Sequence, residues 1–122
     1  MKKSSFAAVV FVLATSANAT AVYLGSRIGY DGSESNIGWT NNTTSICMQF
    51  VEIDKGNASP CNINFYVDDH DGPYQFRGCG SGVQLYKDGV FSSGCTSEKR
   101  GISCRDSDIT QKNLCDKISD DV

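Results

Sequence analysis

Residues 62–67 read Asn-Ile-Asn-Phe-Tyr-Val, and this hexapeptide decides the fold class. Ile63, Phe65 and Val67 recur at every second position with Asn62, Asn64 and Tyr66 between them, so one side is apolar and the other polar. A period of two belongs to an extended strand, whose successive side chains point to opposite faces. Downstream, Asp71-Gly72-Pro73 reads as a hairpin corner, with a residue free to adopt positive φ beside one whose φ is locked, and residues 74–77 (YQFR) return from it. Residues 83–86 (VQLY) and Val90-Phe91 flank Lys87-Asp88-Gly89, a second Asp-Gly hairpin, and residues 101–104 (GISC) read as a last short strand.

Upstream, residues 20–30 (TAVYLGSRIGY) place Val22, Leu24 and Ile28 on one side and Tyr23 and Arg27 on the other, again with strand periodicity. Residues 31–44 (DGSESNIGWTNNTT) are mostly polar turn-formers and read as a long loop anchored by Ile37 and Trp39. Residues 45–53 (SICMQFVEI) are apolar on both alternating faces, the pattern of a strand covered on both sides, and are expected at the centre of the sheet. From Asp106 onward the chain is polar with irregularly spaced Ile109, Leu114 and Ile118. That suggests a short polar tail or helix capped by Ser107 or Asp108 and held by Cys115.

About seven short strands punctuated by twelve glycines, with no helical period in the body, imply an all-β fold: a small antiparallel β-sandwich or barrel stabilised by disulfides. The six cysteines, Cys47, Cys61, Cys79, Cys95, Cys104 and Cys115, form an even, dense set with no CxxC pair. This spacing favours three disulfides in an oxidising compartment over a zinc site. Fifteen pairings are open to them, and sequence does not choose among them; the local pair Cys95–Cys104, bracketing a hydrophilic loop at 96–103, is the one we favour.

Residues 1–19 begin with Lys2 and Lys3, continue through an apolar run at 6–14 (FAAVVFVLA) and end on Ala17-Asn18-Ala19. The pattern is that of a secretory signal with an A-x-A cleavage site, leaving residues 20–122 as one domain. Nine apolar residues in a helix cover about 14 Å, well short of a hydrocarbon core roughly 30 Å thick, so the run is not expected to span a membrane. Cleavage removes two of eleven basic residues, leaving nine against fourteen acidic ones. Such a balance disfavours nucleic acid and anionic membranes, which recruit partners largely through Lys and Arg. Sequons at Asn41, Asn42 and Asn57 agree with a eukaryotic secretory route; Pro60 makes Asn57 the poorer acceptor, and at most one occupied site, at Asn41 or Asn42, is expected.

Candidate chemistry is sparse. His70, the single histidine, lies in Asp68-Asp69-His70-Asp71, which reads as a solvated hairpin tip. Val67 and Gly78 stand where a calcium loop anchored on Gly72 needs its first acidic residue and its closing glutamate. No Gly-x-Ser-x-Gly elbow accompanies the serines. No metal or cofactor is expected. The aromatic residues are more informative: Trp39, Tyr23, Tyr66 and Tyr86 fall in a polar loop or on outward strand faces, where they could form a recognition surface. The favoured alternative is that Trp39 folds back as a loop anchor and the tyrosines pack against the loop edges, because a small core needs every large ring.

The leader, the six cysteines and the compact β pattern together resemble the small secreted cysteine-rich proteins of fungi, many of them candidate effectors. The resemblance implies a non-enzymatic secreted protein, monomeric, acting as an effector or elicitor on a host protein or cell-wall component. The loops at 31–44 and 96–103 would then supply the contacts. Residues 63–67 (INFYV) and 83–86 (VQLY), each followed by a glycine-bearing turn, are similar to βγ-crystallin-like antimicrobial and killer-toxin proteins, which implies toxicity as the alternative. A small hydrolase using paired carboxylates is the third reading.

Overall fold

The computed structural model describes residues 21–56, 58–67 and 71–116. The leader, Asn57, the Asp68-Asp69-His70 cluster and residues 117–122 lie outside them. Eight strands follow in chain order: β1 (Ala21–Gly29), β2 (Glu34–Thr40), β3 (Val51–Lys55), β4 (Phe65–Val67), β5 (Asp71–Arg77), β6 (Gln84–Lys87), β7 (Val90–Ser103) and β8 (Ser107–Asp116). One short helix, α1 (Ile46–Gln49), precedes β3. The strands make one antiparallel sheet in the order β3-β2-β1-β8-β7-β6-β5-β4, curled into a nearly closed barrel. The all-β, disulfide-stabilised architecture is therefore as the alternation of residues 62–67 implies.

Two cores form, one on each side of the sheet. Inside the curl, Val22, Leu24, Ile53, Phe65, Val67, Tyr74, Phe76 and Leu85 pack together with Cys61 and Cys115. Phe65 and Val67 are buried and Tyr66 is exposed, the polarity read from the hexapeptide. Outside the curl, Ile37, Trp39 and Ile109 gather under Ile46, Cys47 and Phe50, with Cys104 at the margin.

Several local readings are overturned. The expected loop at 31–44 contains β2, paired with β1 from Val22↔Thr40 to Ile28↔Glu34. Its inward positions are Asn36, Gly38 and Thr40, which composition marks as turn residues. In the fold Asn36 Nδ2 donates to Asp54 Oδ1 (2.9 Å) and the Ala58 carbonyl (2.7 Å), and Gly38 lies against the Phe65 ring. The expected central strand at 45–53 is α1 followed by the edge strand β3. The Ser45 carbonyl accepts from the Met48 and Gln49 amides, while Gln49 Oε1 accepts from the Thr44 and Ser45 amides, so the chain turns before it extends.

The polar tail is not helical. β8 lies in the middle of the sheet between β1 and β7, and its packed positions Ser107, Ile109, Gln111 and Cys115 hold it there, rather than Cys115 alone. The expected loop at 96–103 lies within the long strand β7, which also takes in residues 101–103 of the expected strand at 101–104. Asp71-Gly72-Pro73 is not the hairpin corner but opens β5, with Asp71 already paired to Val67.

The disulfides are Cys47–Cys104, Cys61–Cys79 and Cys95–Cys115, with Cα separations of 5.6, 6.0 and 4.1 Å. The favoured pair Cys95–Cys104 is excluded by β7 itself. Nine residues of extended chain at ~3.3 Å each separate the two Cα atoms by about 30 Å, against a limit near 7 Å for a disulfide. By the chain-entropy relation, closing the 57-residue span of Cys47–Cys104 contributes about 4 kcal/mol, and the 18- and 20-residue spans about 3 kcal/mol each. A small domain is commonly stable by only ~5–15 kcal/mol in total.

Candidate recognition site

The aromatic residues singled out in the sequence separate into two groups. Trp39 is 2 % exposed and belongs to the outer core; its ring stacks on Tyr23 at 5.5 Å between centroids and 5° between planes. The pair is therefore a structural anchor, and Trp39 is not a surface residue. Tyr66 and Tyr86 remain on the outside of the sheet, where β4, β5, β6 and the start of β7 lie side by side.

The geometry around Tyr86 follows from the second Asp-Gly hairpin. Asp88 and Gly89 adopt φ of 55° and 80°, the pair of positive angles that a tight two-residue turn needs to match the strand twist. The turn sets Lys87 opposite Val90 and Tyr86 opposite Phe91. Ser92 is then an extra residue in β7: Leu85 pairs with Ser93, so Leu85 turns into the core while Tyr86 and Phe91 turn out together. Their rings meet edge to face, with centroids 5.8 Å apart and planes at 83°.

Arg77 completes the group. Its guanidinium lies 4.0 Å from the Tyr86 ring centroid, and its Nε donates to Gln75 Oε1 at 2.7 Å. Gln75 Nε2 in turn donates to Asn64 Oδ1 at 3.1 Å. Residues 75 and 77 share a face of β5, so the chain of contacts runs from Asn64, just before β4, across β5 and β6 to β7. Phe91 is 53 % exposed and Tyr66 49 %, leaving an apolar fringe beside a fixed cation. Gln75, Arg77 and Phe91 are not singled out by the sequence pattern. The Asp88-Gly89 turn was the signal that could have matched Phe91 to Tyr86.

The remaining candidates are dispersed. Asn41 and Asn42 lie exposed just beyond β2, Asn41 Oδ1 accepting from the Ala21 amide at 3.3 Å. Asn57 and His70 lie outside the described residues, among which no group of three or more His, Cys, Asp or Glu is arranged to hold a metal ion. Five described carboxylates are engaged in structural contacts. Asp71 takes Lys87 on one oxygen (2.9 Å) and the Tyr74 hydroxyl on the other (2.8 Å), and Glu98 Oε1 accepts from Gln111. Asp54 accepts from Asn36, and Asp106 lies 3.9 Å from Arg27. Asp31 accepts from both the amide and the hydroxyl of Ser33, which holds its carboxyl below the usual range. No helix among the described residues is long and apolar enough to cross a membrane. Comparison of the chain with protein-family models, with curated proteins and with solved structures finds no match.

Proposed function

We propose that the chain is a secreted recognition protein of the effector or elicitor kind, and that it engages a host protein through the outer face of β4–β7. The observation that carries this reading is the Arg77–Tyr86–Phe91 stack. Tyrosine and arginine are enriched among the residues that dominate protein–protein affinity. Here they sit on strands, and Arg77 is already oriented by Gln75 and by the Tyr86 ring, so little side-chain freedom remains to be lost on binding. The contact surface is thus a strand face, in place of the loops expected at 31–44 and 96–103. Three disulfides support assembly in an oxidising compartment, and the leader at 1–19 supports export. The engaged carboxylates support recognition over an acidic hydrolase.

The test compares wild type, Arg77→Ala/Tyr86→Ala/Phe91→Ala, and reduced, alkylated wild type after infiltration into host tissue. A response to wild type alone is expected, with the triple variant matching wild type in circular dichroism. Equal responses to wild type and the triple variant, or none to either, would sink the reading. Co-sedimentation with chitin and β-glucan distinguishes a wall glycan as the occupant.

A further inference from the structure

Eight strands curled into a barrel enclose a space that side chains fill alone or share with one small ligand. In this barrel the packing stops part-way. Along the inner side of β1, Val22 and Leu24 are buried against the core, whereas Ser26 and Ile28 line a cavity of about 420 Å³ that Leu24 floors. Small-molecule sites range over roughly 300–1,000 Å³.

We propose that this mouth binds one small amphipathic molecule with an apolar body and an uncharged hydrogen-bonding head, a site separate from the outer face and independent of its role. The wall chemistry defines the class. Leu24, Ile28, Pro60 and Val83 offer apolar surface, and Ile28 is 48 % exposed, so apolar area is left in water when the site is empty. Ser26, Ser59 and Asn113 add neutral hydrogen-bonding groups. Glu34 and Lys112 contribute one charge of each sign, and the guanidinium of Arg27 is drawn away over Phe50 and toward Asp106, so the lining carries no dominant charge.

The walls are also held in place before any ligand arrives. The segment at 58–60 is fixed from one side by Asn36, whose Nδ2 donates to the Ala58 carbonyl, and from the other by the adjoining Cys61–Cys79 bridge. That bridge carries Cys79 and Gly80 into the opposite wall. Beside them, β8 has one residue more than β1 between Asn113 and Gln111, and the extra residue is Lys112. Bulges are common at barrel rims, where they re-aim a side chain. A preformed site of this kind needs little reordering on binding.

The test uses the full disulfide-bonded chain and N-phenyl-1-naphthylamine, an uncharged amphipath whose fluorescence rises on leaving water. Saturable binding of one probe per chain is expected, with amide shift changes in heteronuclear NMR centred on Ser26, Ile28, Val83 and Asn113. Ser26→Phe, which fills the mouth, is expected to weaken binding at least tenfold with near-ultraviolet circular dichroism unchanged. Val83→Trp fills it from the facing wall if Ser26→Phe does not fold. Unsaturable binding, shift changes centred on Tyr86 and Phe91, or wild-type affinity in a folded filling variant overturns the proposal.

Discussion

The Trp39 indole lies nearly parallel to the Tyr23 ring, 5.5 Å away, with Cys47, Ile46 and Phe50 packed over the same cluster. Cys47 is held there by its bond to Cys104. Trp39 is the chain's one tryptophan and reports on this covering without a label. In Cys47→Ser/Cys104→Ser the covering loses its tether. Trp39 emission is expected to shift to the red and become quenchable by iodide while the far-ultraviolet spectrum stays β-like. Stability should fall by about 4 kcal/mol in denaturant titrations. Emission identical to wild type would show that packing alone holds the segment.

Gly25 lies where β1 crosses beneath Trp39. A Cβ there would meet the Thr110 carbonyl oxygen at 2.6 Å and two indole carbons at 2.9 Å. Neither neighbour yields easily, since one is sheet backbone and the other a buried ring. Gly25→Ala is expected to cost about 1–3 kcal/mol, the range for overpacking. Gly101→Ala, with nothing within 4 Å, is the control and should stay within ~0.5 kcal/mol of wild type.

Acid should loosen the β1–β2 turn through Asp31. Hydrogen bonds from the Ser33 amide, then from its hydroxyl, favour the ionised carboxylate and lower its pKa below the ordinary 3.8. A group more acidic in the folded state stabilises the fold above its unfolded pKa. That contribution is lost as pH falls through the lower, folded value. Melting temperature followed from pH 6 to pH 2 should therefore drop less steeply in Asp31→Asn than in wild type. Parallel curves would assign the acid sensitivity to other groups.

Of the two adjacent sequons, Asn42 is the expected glycan carrier. Asn41 Oδ1 receives the Ala21 amide at the start of β1, whereas Asn42 donates its backbone amide to Thr40 Oγ1. Secretion from a eukaryotic host, followed by glycosidase release in ¹⁸O water and peptide mass spectrometry, should place the label on residue 42. Label on residue 41 would reverse the assignment.

How much of this was legible in the chain depends on where each side chain finds its partner. Phe65, Val67 and the Asp88-Gly89 turn carry their own local signal, and the strand and hairpin follow from it. β2 was hidden because Asn36 is satisfied by Asp54 and Ala58, and Gly38 makes room for Phe65, relations that exist only once distant segments meet. β8 was hidden because two of its buried alternate positions, Ser107 and Gln111, are polar, so the burial that alternates from Ser107 to Cys115 leaves no apolar period in the sequence. The recognition face was half legible. Tyr66 and Tyr86 announce themselves as outward aromatics, but Arg77 acquires its place from Gln75 and from a strand it meets only in the sheet. The mouth of the barrel has no linear signature, since its walls come from both halves of the chain.

The pairing of β1 with β8, from Ala21↔Asp116 to Gly29↔Ser107, joins the earliest described strand to the latest. On the ribosome, β1 and β7 must therefore wait with open edges until the strand that fits between them has left the exit tunnel. Such distant partnerships slow folding. They also make a message truncated before residue 107 yield a chain whose two sheet halves lack the strand that hydrogen-bonds them together, leaving the Cys47–Cys104 bridge and the inner core to hold them.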